Sequence, residues 1–491
     1  MEPVLTAEQG KTAETLYDKG RSHAECATGA RLFQAIKSKQ WHSPPVKVKS
    51  FSVNSDSSLP TLAWLCEIKG ADYTFTVGQG VETGENFIVE GVWDGDFTGG
   101  RFDESEHFYG SGARLNSDGV CVFVPPRLCT DYLFVLHDKK KSRTFVSNSF
   151  NFIFTVARVP LEGDFYRKFK ANLNKTTNEE SALGADRGSP LIAENDHFAM
   201  FRMMYHNFTV DMNGNINYLM RIPAKKPISS YADYKRFVLE KIESIIANGT
   251  APERKNPFGI VSMLSTGYDS CATSALCAQC GVKEAVTLDV VVGGHNDCGE
   301  KIAKALGMEC HKVQSPLGKN VPVLKAAMAR DCDLLEFVAT AGIGDNVVFK
   351  TMEPIVKGKI VFSGLYGDGC WSKEGNGSGL AHHLPYMKSR TEFRLRTGYC
   401  LVPVPALGAY FPYFLDKINA SPEMDPWRLN THYDRPIPRR MAEEAGVPRN
   451  FFGMRKAANN PDIVNYQEVF DDAVRFTMKR YEECAAHMLK K

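Results

Sequence analysis

An α/β protein with a parallel sheet in its C-terminal half is the fold class the sequence predicts, and three observations carry it. From Pro257 onward, short apolar runs alternate with stretches of helical spacing, the pattern of a parallel sheet with helices on both faces. One such run, Phe258-Gly-Ile-Val-Ser-Met-Leu264, feeds the small polar turn Ser265-Thr-Gly-Tyr-Asp-Ser270, and a helical stretch through Ala272, Ala275 and Leu276 follows. Ahead of this, from Val46 to about Val156, the chain reads as strands and turns, which predicts a separate, mainly β domain.

Each element has its own local signal. Residues 1 to about 45 are polar and helical in parts. Asp131–Asp138 and Arg143–Asn148 flank the polar turn Lys139-Lys-Lys-Ser142, a hairpin signal. Residues 160 to 195 are polar and read as a loop or insertion. A second hairpin pairs Phe208–Asp211 with Asn215–Tyr218, because Asn213-Gly214 tolerates the positive φ of a tight turn. Ser230 caps a helix whose apolar positions are Tyr234, Phe237, Val238, Ile242, Ile245 and Ile246, and Gly249 ends it. Strands follow at Phe258–Leu264, Ala285–Val292 and Lys359–Ser363, and the tail beyond Asp434 reads as mostly helical. The pattern change places the domain boundary between residues 1–225 and 226–491.

Composition narrows the partners. The 491 residues suit two domains. A net charge of +2 offers no electrostatic case for nucleic acid or a membrane. No apolar run reaches the roughly 18 residues of a membrane span, and MEPVLTAEQGKTAE lacks the layout of a signal peptide. The thirteen cysteines show no framework spacing. They read as reduced thiols of a cytoplasmic protein, and the sequon at Asn248 then carries no meaning. For assembly, a homodimer is the expectation.

The turn carries the chemistry. Phosphates need several N–H donors converging on one point, and a glycine-containing turn opening a helix supplies them. Ser265, Thr266 and Gly267 are small enough for close backbone approach. Asp269 beside a triphosphate requires an intervening cation, and Mg²⁺ meets that need. The turn has no lysine, so it is not the G-x-x-x-x-G-K-[ST] loop. A merely polar strand-to-helix turn is the plainer alternative.

The hexapeptide resembles the S-G-G-x-D-S signature of PP-loop ATP pyrophosphatases, with Thr266 where the first glycine is usual. Over about 200 residues the chain resembles the synthetase domain of asparagine synthetases and β-lactam synthetases. Ser363-Gly-Leu-Tyr-Gly-Asp368-Gly-Cys-Trp371 is similar to the second acidic motif, S-G-x-G-A-D-E-x-F, and Asp368 lies 99 residues after Asp269. Glu300–Gly307 followed by His311 is similar to the helix between the motifs, and is also amphipathic, with Ile302, Ala303 and Leu306 inward. Tyr433-Asp434-Arg435-Pro to Phe451-Phe-Gly-Met-Arg455-Lys456 is similar to the late segment that places a basic residue over the reaction centre. The resemblance implies an adenine nucleotide α-hydrolase-like (Rossmann-like) domain behind a degenerate glutaminase-like (Ntn-type) α+β domain. It implies ATP contacts from Met263, Leu264, Ser265, Thr266, Gly267, Tyr268, Asp269, Ser270, Leu288, Val290 and Gly364. Mg²⁺ falls to Asp269 and Asp368, and the catalytic cation to Lys456, with Arg455 its rival.

The departures shape the expected reaction. Glu2 stands where glutamine-using relatives carry a cysteine nucleophile, and Cys26 would need the 25 residues ahead of it removed. Nitrogen would then come from a substrate amine or free ammonia. Gly369 replaces the family glutamate of the second motif, and Leu401–Gly408 lacks the charged residues of E-x-R-x-P-F-L-D. Tyr366 and Glu392 are candidates for the tyrosine–glutamate pair that deprotonates the amine in β-lactam synthetases. Pairing of Glu392 with Arg394 and Arg396 is the favoured alternative, because buried charges need partners. Asp345 is either a substrate contact or a loop cap. The expected activity is an ATP-dependent, AMP-forming C–N ligase that adenylates a small-molecule carboxylate and passes the acyl group to an amine or ammonia. Two alternatives stand beside it. One is a sulfur-transferring PP-loop enzyme using Cys277-Ala-Gln-Cys280; the other is a nucleotide-binding descendant without catalysis.

Overall fold

A computed structural model describes residues 45–128, 131–159, 164–173, 191–219, 228–289, 291–292, 295–314, 336, 339, 350–372, 391–407, 412–431 and 433–454. The first half forms two sheets. A seven-stranded sheet is antiparallel except at its edge, where Ser50–Ser55 runs parallel to Asp72–Val77. A six-stranded antiparallel sheet stacks on it. Alternate side chains point inward, as strand geometry requires. Trp64, Phe75, Val135 and Val146 of one sheet meet Ile88, Ala113, Phe123 and Phe208 of the other. Both expected hairpins form. Leu133–Asp138 pairs with Arg143–Ser147 and Asn207–Val210 with Ile216–Leu219, with Gly214 at φ 77°.

Three elements of this half differ from expectation. Helix α1, Phe150–Ala157, follows the first hairpin and is capped by Ser149, whose side chain accepts from the Phe152 N–H. The stretch expected to be a loop contains the helix Asp164–Leu173 and the strand Leu191–Glu194. Its polar composition hid Phe165, Tyr166 and Phe169, which are spaced for one helix face and are buried.

The second half opens with α2, Tyr231–Gly249, capped by Ser230 as expected. Five strands follow: β1 (Gly259–Leu264), β2 (Glu284–Asp289), β3 (Glu309–Gln314), β4 (Lys359–Ser363) and β5 (Cys400–Pro403). Every neighbouring pair is parallel, and the spatial order is β3-β2-β1-β4-β5. Strands β3 and β5 escaped the sequence reading. The helices that flank these strands include α3 (Tyr268–Gln279), α4 (Glu300–Ala305), α5 (Gly367–Cys370), α6 (Thr391–Thr397) and, after the sheet, α7 (Pro436–Glu444). One apolar core joins the halves, from Leu62, Phe134 and Phe150 through Tyr234 and Ile242 to Phe362, Val402 and Ile437. Among the described residues no helix is long and apolar enough to cross a membrane, and the cysteines are free thiols.

Candidate active site

The strand order creates the site. With β1 central and β4 beside it, the connection after β1 leads to β2 on one side and the chain after β4 continues to β5 on the other. The strand order therefore turns at β1 and β4, the switch point beyond whose carboxyl ends open α/β sheets bind ligands. The turn Ser265–Ser270 leaves β1 and the segment Gly364–Asp368 leaves β4. Two glycines let them touch. A Cβ on Gly364 would lie 2.5 Å from the Asp269 carbonyl carbon and the Ser270 nitrogen, and one on Gly367 would lie 2.1 Å from Asp269 Cγ.

The turn is internally bonded. The Ser265 N–H donates to Ser270 Oγ at 3.1 Å and the Gly267 N–H to Ser265 Oγ at 3.2 Å. Thr266 donates through its N–H (3.1 Å) and hydroxyl (2.5 Å) to Asp297 Oδ1. Burial raises the Asp297 carboxyl above its usual range, against those two hydrogen bonds. The first turn of α3 begins at Gly267 with no side-chain cap and carries Asp269. Its leading N–H groups lack intrahelical acceptors and form the positive end of the helix dipole. The Tyr268 side chain is not part of this opening. It is buried, its hydroxyl accepts from Arg439, and the Arg439 guanidinium lies 4.8 Å from its ring. Met263 and Leu288 end their strands half-buried against the Val261, Val286 and Met352 cluster.

Asp269 and Asp368 meet through a third residue that the sequence reading passed over. Arg435, the residue before α7, donates one Nη to Asp269 Oδ2 and the other to Asp368 Oδ1. Its side chain is 6% exposed, whereas Asp368 is 43% exposed. The motif Tyr433-Asp434-Arg435 was visible in sequence, but the resemblance gives the basic role of that segment to Lys456 or Arg455. The remaining Asp269 oxygen, Oδ1, is buried without a hydrogen-bond partner. Buried polar atoms are nearly always satisfied, so this carboxylate is still short of one donor or cation. Two carboxylates on adjacent strand ends, one with an unsatisfied oxygen, fit a hard divalent cation shared with phosphate oxygens.

Tyr366 and Glu392 part company. Tyr366 sits at φ 72° in the turn after β4, with its side chain buried. Glu392 reaches the first half instead. It accepts from Ser149 Oγ at 2.9 Å and from the Asn151 N–H at 3.2 Å, at the N-terminus of α1. Burial lifts its carboxyl to about 7, against those donors. The expected pairing with Arg394 and Arg396 gives way to other partners. Arg394 forks onto Glu90 at 2.8 and 2.9 Å and lies 3.0 Å from Asp131, while Arg396 bonds Glu336 and Glu353, each at 2.5 Å. The physical reason is position: α6 lies at the seam between the halves, so Glu392 and Arg394 meet donors and acceptors of the first half, while Arg396 turns to Glu336 and Glu353 of the second. Val290, Asp345, Arg455 and Lys456 lie outside the described residues.

Cys277 is fully buried and Cys280 half-buried, and burial raises both thiols, Cys280 to about 12. Among the described residues no group of three or more His, Cys, Asp and Glu side chains is placed to hold a metal. Fold and site together define a mixed α/β protein with a switch-point crevice in a five-stranded parallel sheet. No family model matches the chain, and no curated protein matches it.

Proposed function

We propose that the chain is an ATP-dependent ligase of the asparagine synthetase-like, PP-loop type. It adenylates a small-molecule carboxylate, releases pyrophosphate, and transfers the acyl group to an amine or ammonia to form an amide. The observation that carries this reading is the convergence of Asp269 and Asp368 on one cation position at the switch point, beside an uncapped helix N-terminus. Asp269 and Asp368 would hold Mg²⁺, which when bound neutralises phosphate charge during pyrophosphate departure.

The chain's own groups divide the remaining work. The first-turn N–H groups of α3 bind phosphate oxygens. Gly364 and Gly367 keep the β4 loop in contact with Asp269. Met263, Leu288 and Val290 offer an apolar flank to the adenine, and Lys456 or Arg455 the charge over the leaving group. Glu392, engaged with α1, is withdrawn as partner of Tyr366 in deprotonating the amine. In the first half, the two stacked sheets support a degenerate glutaminase-like scaffold, with residues 1–225 and 226–491 as the two units. On this reading the nitrogen comes from an amine or ammonia rather than glutamine, and we place the enzyme in the cytoplasm. Buried, high-pKa Cys277 disfavours the sulfur-transfer alternative, since the thiolate is the reactive form.

The test is ATP–pyrophosphate exchange with Mg²⁺ across a panel of amino and carboxylic acids. Exchange that depends on one carboxylate class, with AMP formed when an amine is added, is the expected result. Nucleotide binding without exchange for any carboxylate would replace this reading with a binding protein.

A further inference from the structure

We propose that Arg435 and a divalent cation are alternative occupants of the Asp269–Asp368 pair, so that loading a metal-bound triphosphate expels the guanidinium. This rests on the ATP-site reading above. Arg435 engages Asp269 Oδ2 and Asp368 Oδ1, one with each Nη. Those are oxygens from the two carboxylates that the ATP-site reading gives to the metal. The guanidinium is nearly buried there, so it is an internal cation rather than a surface arm. Arg435 places its positive charge between the two carboxylates. A divalent ion added beside the guanidinium would meet a like charge within a few ångströms, and like charges disfavour each other most where water is scarce.

The pair does not depend on Arg435 for its position. Gly367 seats the β4 loop against the Asp269 side chain, and Gly364 packs against the Asp269–Ser270 backbone. The arginine itself is tethered from outside the crevice. Asp434 beside it accepts from the Leu429 and Asn430 N–H groups, and Pro436 starts α7 immediately after. The side chain can therefore leave without moving either carboxylate loop. The unsatisfied Asp269 Oδ1 marks the Arg435-bound arrangement as incomplete, and a metal could complete it.

The test is a Mn²⁺ titration of the full chain without nucleotide, followed by electron paramagnetic resonance of free Mn²⁺. Wild type should bind weakly, and Arg435→Gln about tenfold more tightly, as expected for removing one adjacent positive charge. Adding Asp368→Asn to Arg435→Gln should abolish the gain. Equal Mn²⁺ affinity in wild type and a folded Arg435→Gln overturns the proposal. Should Arg435→Gln fail to fold, Arg435→Met decides: it keeps the apolar stem and removes the charge, so Mn²⁺ should again bind more tightly than to wild type, and unchanged affinity overturns the idea. The titration uses neither ATP nor carboxylate, so a chain that lacks exchange activity yet gains Mn²⁺ affinity on Arg435→Gln loses the ligase reading and keeps this one.

Discussion

Arg394 and Arg435 each grip two carboxylates, and the surroundings make them different devices. At the seam between the halves, Arg394 holds Glu90 and Asp131, with side chains 3%, 0% and 8% exposed. At the crevice, Arg435 holds Asp269 and Asp368, with Asp368 43% exposed. The seam cluster is further tied in. Ser111 donates to Glu90 at 2.7 Å and Thr391 to Asp131 at 2.7 Å. Nothing can enter there without unfolding. The crevice cluster keeps one open side and one unsatisfied oxygen. The same residue chemistry is structural where water is excluded and exchangeable where one partner meets solvent.

The strongest way to break this comparison is to remove each arginine. Arg394→Met would leave two carboxylates buried without their cation and should cost about 3–5 kcal/mol of stability, the usual penalty for breaking a buried pair. Arg435→Gln should cost less, about 1–3 kcal/mol, because Asp368 can turn to water although Asp269 stays mostly buried. Urea unfolding of both variants measures the difference. Equal losses would mean that the crevice cluster is as structural as the seam.

Activity should divide the other way. Asp269→Asn and Asp368→Asn should each lower ATP–pyrophosphate exchange by about 100-fold or more, in the range for losing one electrostatic contact to developing charge. Exchange persisting near the wild-type rate in both would remove them from the site.

The contrast also shows what the sequence could tell. The β1 run, the polar turn and the distant Asp368 were legible because strand-to-helix turns bring small residues and acids together over short spans. Asp269 and Asp368 were paired by the resemblance of their segments to two acidic motifs of one family. Arg435 and Asp297 could not be assigned to the crevice, since their roles come from contacts across 166 and 31 residues to the turn. Glu392 was misread for a related reason. Its neighbours in sequence are arginines, but helix spacing turns Glu392 toward Ser149 of the first half. Strand β5 was hidden because Cys400–Pro403 is only four residues long, and is recognisable as a strand only by pairing with β4.

The seam offers a pH test of the same idea. Burial raises Glu392 from its ordinary value near 4.5 to about 7. A raised carboxyl stabilises the fold while protonated, so its contribution is complete below about 4.5 and is lost as pH climbs through 7. The full loss is about 3 kcal/mol by the usual conversion of pKa shift to free energy. Glu392→Gln should remove that slope and be more stable than wild type at pH 8 by about 1–3 kcal/mol. Parallel urea midpoints for the two proteins at pH 5 and pH 8 would sink the idea.

The smallest effect expected is at Cys280, and it separates the ligase from the sulfur-transfer alternative. Cys280 ends the C-x-x-C motif just beyond α3, half-buried, with its thiol 3.8 Å from the Leu239 carbonyl and pushed up to about 12 by burial. A thiol that high is almost wholly protonated at neutral pH, which leaves it a poor nucleophile and metal ligand. Cys280→Ser keeps the size and the weak bond to Leu239. Exchange should stay within about twofold of wild type, and stability within about 1 kcal/mol. A sulfur carrier would behave otherwise, because its first sulfur-transfer step needs the thiolate that serine cannot form. Loss of activity in Cys280→Ser, with the unfolding midpoint unchanged, would therefore move the chemistry from the Asp269–Asp368 crevice to the far end of the same helix.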